Sequence, residues 1–204
     1  MKYPIGIQDF EKIIKDGYVY LDKTGLIYDL VHNGTIYFLS RPRRFGKSLL
    51  VSTLKCYFEG KKELFKGLSI DKLEKEWKQY PVLHLSFGGQ NYIEPYTLEH
   101  VLEEFVARAE LVYGKDELAK TLSSRFRAVL KKAHAKTGVR AVVLIDEYDK
   151  PLLDVMDMDI SVQNEYGKMT LEDYNRNLLK GVYSVFKEAD DDLQFVLLTG
   201  VTKF

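Results

Sequence analysis

The chain has 204 residues, 46% of them apolar, with 14 Tyr and 11 Phe: enough for one sizeable core, and far from the composition of a disordered segment. Thirty basic residues offset thirty acidic ones, so net charge gives no pull toward nucleic acid or membrane and any electrostatic function must be local. The single cysteine, Cys56, excludes an internal disulfide, and no window nears the ~20 apolar residues of a membrane span or holds a signal-peptide core, so the cytoplasm is the default.

In chain order, 9–17 reads as a short helix closed by Gly17, and 25–34 as a second one that stops at Asn33-Gly34. Residues 35–40, TIYFLS, are a short apolar run rich in β-formers, the pattern of a buried strand. After Ser48, the residues Leu50, Leu54, Tyr57 and Phe58 recur at i, i+4, i+7 and i+8, one face of a helix ending at Gly60. A second strand follows at 81–87. Residues 97–114 pattern as an amphipathic helix capped by Thr97 with Glu99, Glu103 and Glu104 outward, and 123–138 as another closing on basic residues and Gly138. A continuously apolar strand at 140–146 runs into acids, 171–189 is helical, and 193–200 is a further apolar strand. The stretch 154–170 has no period and reads as a surface loop. Four strands alternating with helices and apolar on both faces predict an α/β fold with a parallel sheet covered on both sides.

The stretch FLSRPRRFGKSLL, residues 38–50, carries the first chemistry. A phosphate-binding loop needs strand, tight loop and helix in that order. Backbone N–H groups at the helix N-terminus cradle phosphate oxygens, lysine reaches the β and γ groups, and Ser/Thr meets Mg²⁺. Strand 35–40, loop 41–47 and helix 48–59 supply this order. Pro42, Arg43, Arg44, Phe45, Gly46, Lys47, Ser48 and Leu49 are the nucleotide-binding candidates. The pattern G-x-x-x-x-G-K-[ST] fails only at its first glycine, which is Arg41. Pro42 restricts its own φ and pushes Arg41 to an extended conformation, so the loop entry is partly set beforehand. Taken alone, Gly-Lys-Ser reads equally well as a helix N-terminus capped by serine.

AVVLIDE, 141–147, supplies the partner motif. Its apolar run places Asp146 at the carboxyl end of a buried strand, where it can share an Mg²⁺ shell with Ser48, and the adjacent Glu147 can orient or deprotonate an attacking water. Glu147, Lys47 and Thr199 are the catalytic candidates. Thr199 ends strand 193–200, where its side chain reaches the γ-phosphate or the water; a threonine ending a strand for structural reasons fits the spacing as well. Asp149 is open between pairing with Arg43 or Arg44 and lying exposed in the turn before Pro151. The four histidines have no ligand spacing, and Cys56 reads as small core filler.

YVYLDKT ahead of the first strand, SRPRRFGKSLL as the loop, LIDEYDKPL as the acidic motif and LLTGVTKF at the end together resemble the AAA-ATPase-like proteins, mostly of bacteria, over the whole chain. Arg41 departs from the general loop but not from this family's form. The resemblance implies a P-loop NTPase of the catalytic-glutamate, AAA-like class. Its mostly parallel sheet is sandwiched by helices, strand 193–200 lies between the strands of the two motifs, and ATP and Mg²⁺ are bound. Residues 1–34 are then a helical lead-in and 35–204 an incomplete nucleotide-binding core, truncated before its last strand. Full-length members often add a C-terminal PD-(D/E)-x-K nuclease-like domain. No Pro-Asp dipeptide occurs here, and Glu76-Trp77-Lys78 lies in helical context. Strand 35–40 would then be an apolar edge open to self-association. Asp22, Lys23 and Thr24 belong to the family's signature without a settled role, and capping of helix 25–32 by Asp22 or Thr24 is the expected one.

The leading function is Mg²⁺-dependent ATP binding and hydrolysis, acting as motor or switch for an absent C-terminal domain through which nucleic acid could be a partner. One alternative is a nucleic-acid module using 41–47 directly, against which the zero net charge and the lack of a second basic stripe weigh. Another is an ATP-binding scaffold without turnover. A nuclease using Asp146, Glu147 and Asp149 as metal ligands leaves the Gly-Lys-Ser helix unexplained. No membrane partner is expected.

Overall fold

The four most apolar segments build the sheet. In a computed structural model describing residues 1–164 and 167–202, strands β1 (Ile36–Ser40), β2 (Val82–Ser86), β3 (Ala141–Asp146) and β6 (Leu193–Gly200) run parallel in the order β1-β6-β3-β2. Strand 193–200 thus lies between the strands of the two motifs, as the resemblance implies. β3 is buried at every position, as a strand covered on both faces must be. Because side chains alternate across a strand, Val142 and Leu144 enter one core while Val143 and Ile145 enter the other.

The first core is filled by α1 (Phe10–Lys15), α2 (Thr24–Asn33), α3 (Lys47–Phe58) and α4 (Ser69–Leu73). Phe10 and Ile27 of the lead-in pack in the same cluster as Val51 and Leu54 of α3, and the Phe10 N–H donates to Ser52 Oγ at 2.9 Å. Each such fully buried side chain contributes about 1.5–3 kcal/mol, so the lead-in is fastened to the helix that follows the loop. The second core takes α5 (Thr97–Tyr113), α6 (Leu122–Thr137) and α8 (Leu171–Glu188). The short α7 (Lys150–Leu153) follows the acidic motif. No described helix is long and apolar enough to cross a membrane.

Three expectations need correction. Part of 154–170 is a hairpin: β4 (Ser161–Asn164) and β5 (Gly167–Thr170) pair antiparallel beside a satellite core of Val155, Val162 and Leu171. Strands of four residues are too short to show a period; residues 165 and 166 between them lie outside the described residues. Helix α5 begins after Tyr96, which is left-handed at φ 66° and makes no side-chain cap, so Thr97 is its first residue rather than its cap. Glu103 does not project freely, because Arg125 of α6 bonds both it and the buried Glu110. The edge expectation for β1 matches the geometry: it pairs with β6 on one side, and Phe38 is 58% exposed.

Candidate functional site

The loop leaves β1 still paired to β6, the Arg41 N–H donating to Gly200 O at 3.0 Å. Residues 41–46 are exposed. Arg44 is left-handed at φ 67°, a conformation that costs an L-residue roughly 1–2 kcal/mol relative to glycine. Gly46, at φ 74°, turns the chain into α3 and its carbonyl accepts the Leu50 N–H. Lys47 is the first residue of α3 and only 7% exposed, and its Nζ donates back to the carbonyls of Arg41 at 2.8 Å and Pro42 at 3.1 Å. Ser48 and Leu49 follow, half-buried, in the first turn. Among the described residues Arg41, Arg43 and Arg44 form no ion pair.

The acids come to the same edge of the sheet from β3. Asp146 sits opposite Ser86, and Leu39 opposite Thr199, so four strand ends stand in one row. Asp146 is buried; its Oδ1 accepts the Thr199 hydroxyl and the Glu147 N–H, leaving Oδ2 uncommitted. Thr199 is itself buried, and its hydroxyl proton is spent on Asp146. Glu147 follows in a left-handed conformation, φ 56°, half-buried. Its carboxylate lies so close to the bend after β2 that a Cβ on Gly88 would stand 3.0 Å from Oε2.

Asp149 meets neither expectation. It is 1% exposed, and Oδ2 accepts the N–H groups of Val201 and Thr202, each at 2.6 Å, and the Thr202 hydroxyl at 2.9 Å. The Tyr148 N–H donates to Thr199 O at 2.9 Å, so the turn after β3 is laced to the end of β6. The fit is close enough to require glycine at 200, where a Cβ would fall 2.7 Å from Asp149 Oδ1. Lys203 and Phe204, which close the last family-like stretch, lie outside the described residues.

Beside the loop lies a mainly apolar cavity of about 580 Å³ that no single motif foretells. Leu39, Phe45, Gly46 and Leu49 line it from the loop side, and Tyr20, Leu21, Leu26 and Leu30 from the lead-in. Lys23 and Arg41 are its charged residues. The signal was the unexplained apolar content of 19–30, which reads simply as helix packing until the tertiary contacts are known. Away from the site, burial pushes the Cys56 thiol up to about 11, in keeping with core filler. Among the described residues no group of three His, Cys, Asp or Glu side chains could hold a metal.

The family described as Predicted AAA-ATPase matches residues 4–204. The chain belongs to the AAA-ATPase-like family. Membership suggests ATP binding, in agreement with the loop that this AAA-ATPase-like chain presents. A protein of Azotobacter chroococcum mcd 1, described as an uncharacterized protein in the vnfD 5′ region, is 41% identical over 207 residues. The match takes in 100% of this chain and 38% of that relative, so the chain spans well under half of its length. No solved structure matches.

Proposed function

We propose that the chain binds ATP with Mg²⁺ at the 41–49 loop and hydrolyses it, as a P-loop ATPase of the catalytic-glutamate class. One observation carries the reading: Asp146 and Glu147 leave β3 at the same sheet edge as Lys47, with only β6 between the two strands. At ordinary strand spacing that sets the two motifs about 10 Å apart, a gap that a polyphosphate and a hydrated cation would fill.

Lys47 exchanges its two loop carbonyls for β and γ oxygens, and Arg43 and Arg44 neutralise phosphate charge. Asp146 through Oδ2 and Ser48 through its hydroxyl are the cation's protein ligands. One carboxylate and one hydroxyl make too poor a cage for a resident metal. They suit Mg²⁺, which keeps several waters and takes substrate phosphate oxygens. Glu147 accepts the proton of the attacking water. Thr199 acts through Asp146, holding the carboxylate in place, and is better described as a positioning residue than as a contact to phosphate. The cavity beside Gly46 takes the base and ribose, which makes 19–30 part of the site rather than a mere lead-in. The role as motor or switch for further chain, and self-association through the β1 edge, belong to the same proposal.

The exposure of Arg41, Arg43 and Arg44 without ion pairs also favours a second reading, contact with a nucleic-acid backbone. Calorimetric titration with ATP, GTP and a short DNA duplex, with Mg²⁺ present or chelated, separates the two. The expected result is ATP binding that weakens on chelation, and phosphate release. Duplex binding with steep salt dependence and no ATP binding would overturn the proposal. ATP binding without phosphate release would leave the scaffold reading in its place.

A further inference from the structure

Asp22 and Thr24 lie far in sequence from Ser69 and Ile70, yet these four residues share one hydrogen-bond cluster. Asp22 Oδ1 accepts the Thr24 N–H at 2.8 Å and the Thr24 hydroxyl at 2.6 Å. Asp22 Oδ2 accepts the Ser69 N–H and the Ser69 hydroxyl, both at 2.7 Å. Thr24 Oγ1 in turn accepts the Ile70 N–H at 3.1 Å. Neither Asp22 nor Thr24 is the expected cap on α2, since Lys23 holds that position without a side-chain bond; Asp22 instead serves the first N–H of α2, and its other oxygen satisfies an N–H at the start of α4. Thr24 and Ile70 are fully buried while Asp22 and Ser69 are exposed, so the clasp runs from the surface into the core. Burial would raise the Asp22 carboxyl, but the bonds from Thr24 and Ser69 outweigh it and hold it down at about 2, so it is ionised at neutral pH.

What the clasp holds is one wall of the cavity beside the loop. Leu21 and Lys23 flank Asp22, and Leu26 lies in the first turn of α2; all three line the cavity opposite Phe45 and Gly46. Leu21 is 75% exposed and Leu26 68% exposed, so these wall residues are not anchored by their own burial. Their position depends on neighbours that are anchored, and the bonds of Asp22 to Ser69 and of Thr24 to Ile70 are polar links from the wall to α4.

We infer that Asp22 is a positioning residue for the base-binding half of the nucleotide site, fixing the cavity wall against which base and ribose lie by clasping α2 to α4. The inference rests on the nucleotide reading above. It divides the site into two separable parts: the loop reads the polyphosphate, and the clasped wall reads what is attached to it.

The test compares the whole chain with its Asp22→Ala and Ser69→Ala variants, titrated with Mg·ATP and with Mg·tripolyphosphate, a ligand with no base. Removing Asp22 should weaken ATP by roughly tenfold, about the worth of one charge-assisted hydrogen bond, and leave tripolyphosphate within about twofold. Ser69→Ala should shift ATP in the same direction by less, and decides the matter if Asp22→Ala fails to fold. A purely structural role would weaken both ligands by one factor, and that result, or unchanged ATP affinity, overturns the inference. If the parent protein binds tripolyphosphate as tightly as ATP, the base wall falls while the loop assignment stands. If it binds neither, the nucleotide reading itself fails.

Discussion

Asp146 and Arg44 stand at the same edge of one sheet, but their surroundings are built by opposite means. At the acidic end Thr199 holds Asp146, Asp149 grips the backbone of 201–202, and Tyr148 is tied to Thr199. Thr199 and Asp149 have their partners without any ligand, and Asp146 is held through Oδ1 while its Oδ2 stays uncommitted. The loop across β6 is exposed, carries three unpaired guanidinium groups, and keeps Arg44 in a left-handed turn that glycine would occupy at less cost. The difference teaches a division of labour. On the proposed reading, the groups assigned to chemistry are preorganised, so they would spend nothing on reorientation when charge develops. The groups assigned to anion capture are left with charge unsatisfied, so that a ligand would stabilise the fold as it binds.

Glu147→Gln gives the sharpest break between the halves. It should leave Mg·ATP affinity nearly unchanged and lower turnover on the order of 10²- to 10⁴-fold, the usual worth of a general base. Phosphate release at the parental rate would remove Glu147 from the chemistry. Lys47→Ala acts on the other half: ATP affinity should fall roughly 30- to 100-fold through loss of a charged hydrogen-bond donor. Intact affinity in the folded variant would sink the loop assignment. Asp149→Ala should behave as an acid-end change, costing about 2 kcal/mol of stability in a denaturant titration because two backbone N–H groups lose their acceptor. A variant as stable as the parent would show that the lacing is dispensable. The smallest effect is expected of Arg44→Gly. Relief of the left-handed strain, set against the added freedom of glycine, should stabilise the protein by about 0.5 kcal/mol while ATP affinity drops. If stability falls instead, the loop is not strained at that position.

Sequence made the scaffold of this comparison legible, and it failed where partners are backbone atoms. The order of strand, loop and helix around Lys47, and the apolar run ending in Asp146, could be read because each depends on residues adjacent in the chain. The position of β6 between the two motifs came from resemblance rather than from periodicity. Asp149 was misread because its partners are the N–H groups of Val201 and Thr202, which no side-chain type betrays. The strain at Arg44 is hidden for the same reason, since φ leaves no mark on composition. The cavity escaped notice because Leu21 and Leu26 look like ordinary helix-flanking apolar residues until the loop is set beside them. Asp22 was legible as a partner of the start of α2 though not as its cap, and its second pair of bonds spans the chain to Ser69 and needed the fold.

One of the two interior strands of the sheet, β6, is also the last of the described strands to be synthesised. β2 and β3 can pair with each other as soon as both exist, but among the described strands β1 pairs with β6 alone, and Ile36 must wait for Val196. At a synthesis rate of about 5–20 residues per second, the growing polypeptide carries β1 unpaired for on the order of ten seconds or more. Throughout that interval the loop lacks its bond from Arg41 to Gly200. Such a topology, rich in contacts between distant parts of the chain, sets slow folding and leaves apolar strand edges open to chaperones or to neighbouring nascent chains. Insertion of β6 then joins the described strands, seats Asp146 against Thr199 and ties Arg41 to Gly200 in one event, so on the proposed reading the competence to hold a ligand should not precede the emergence of β6.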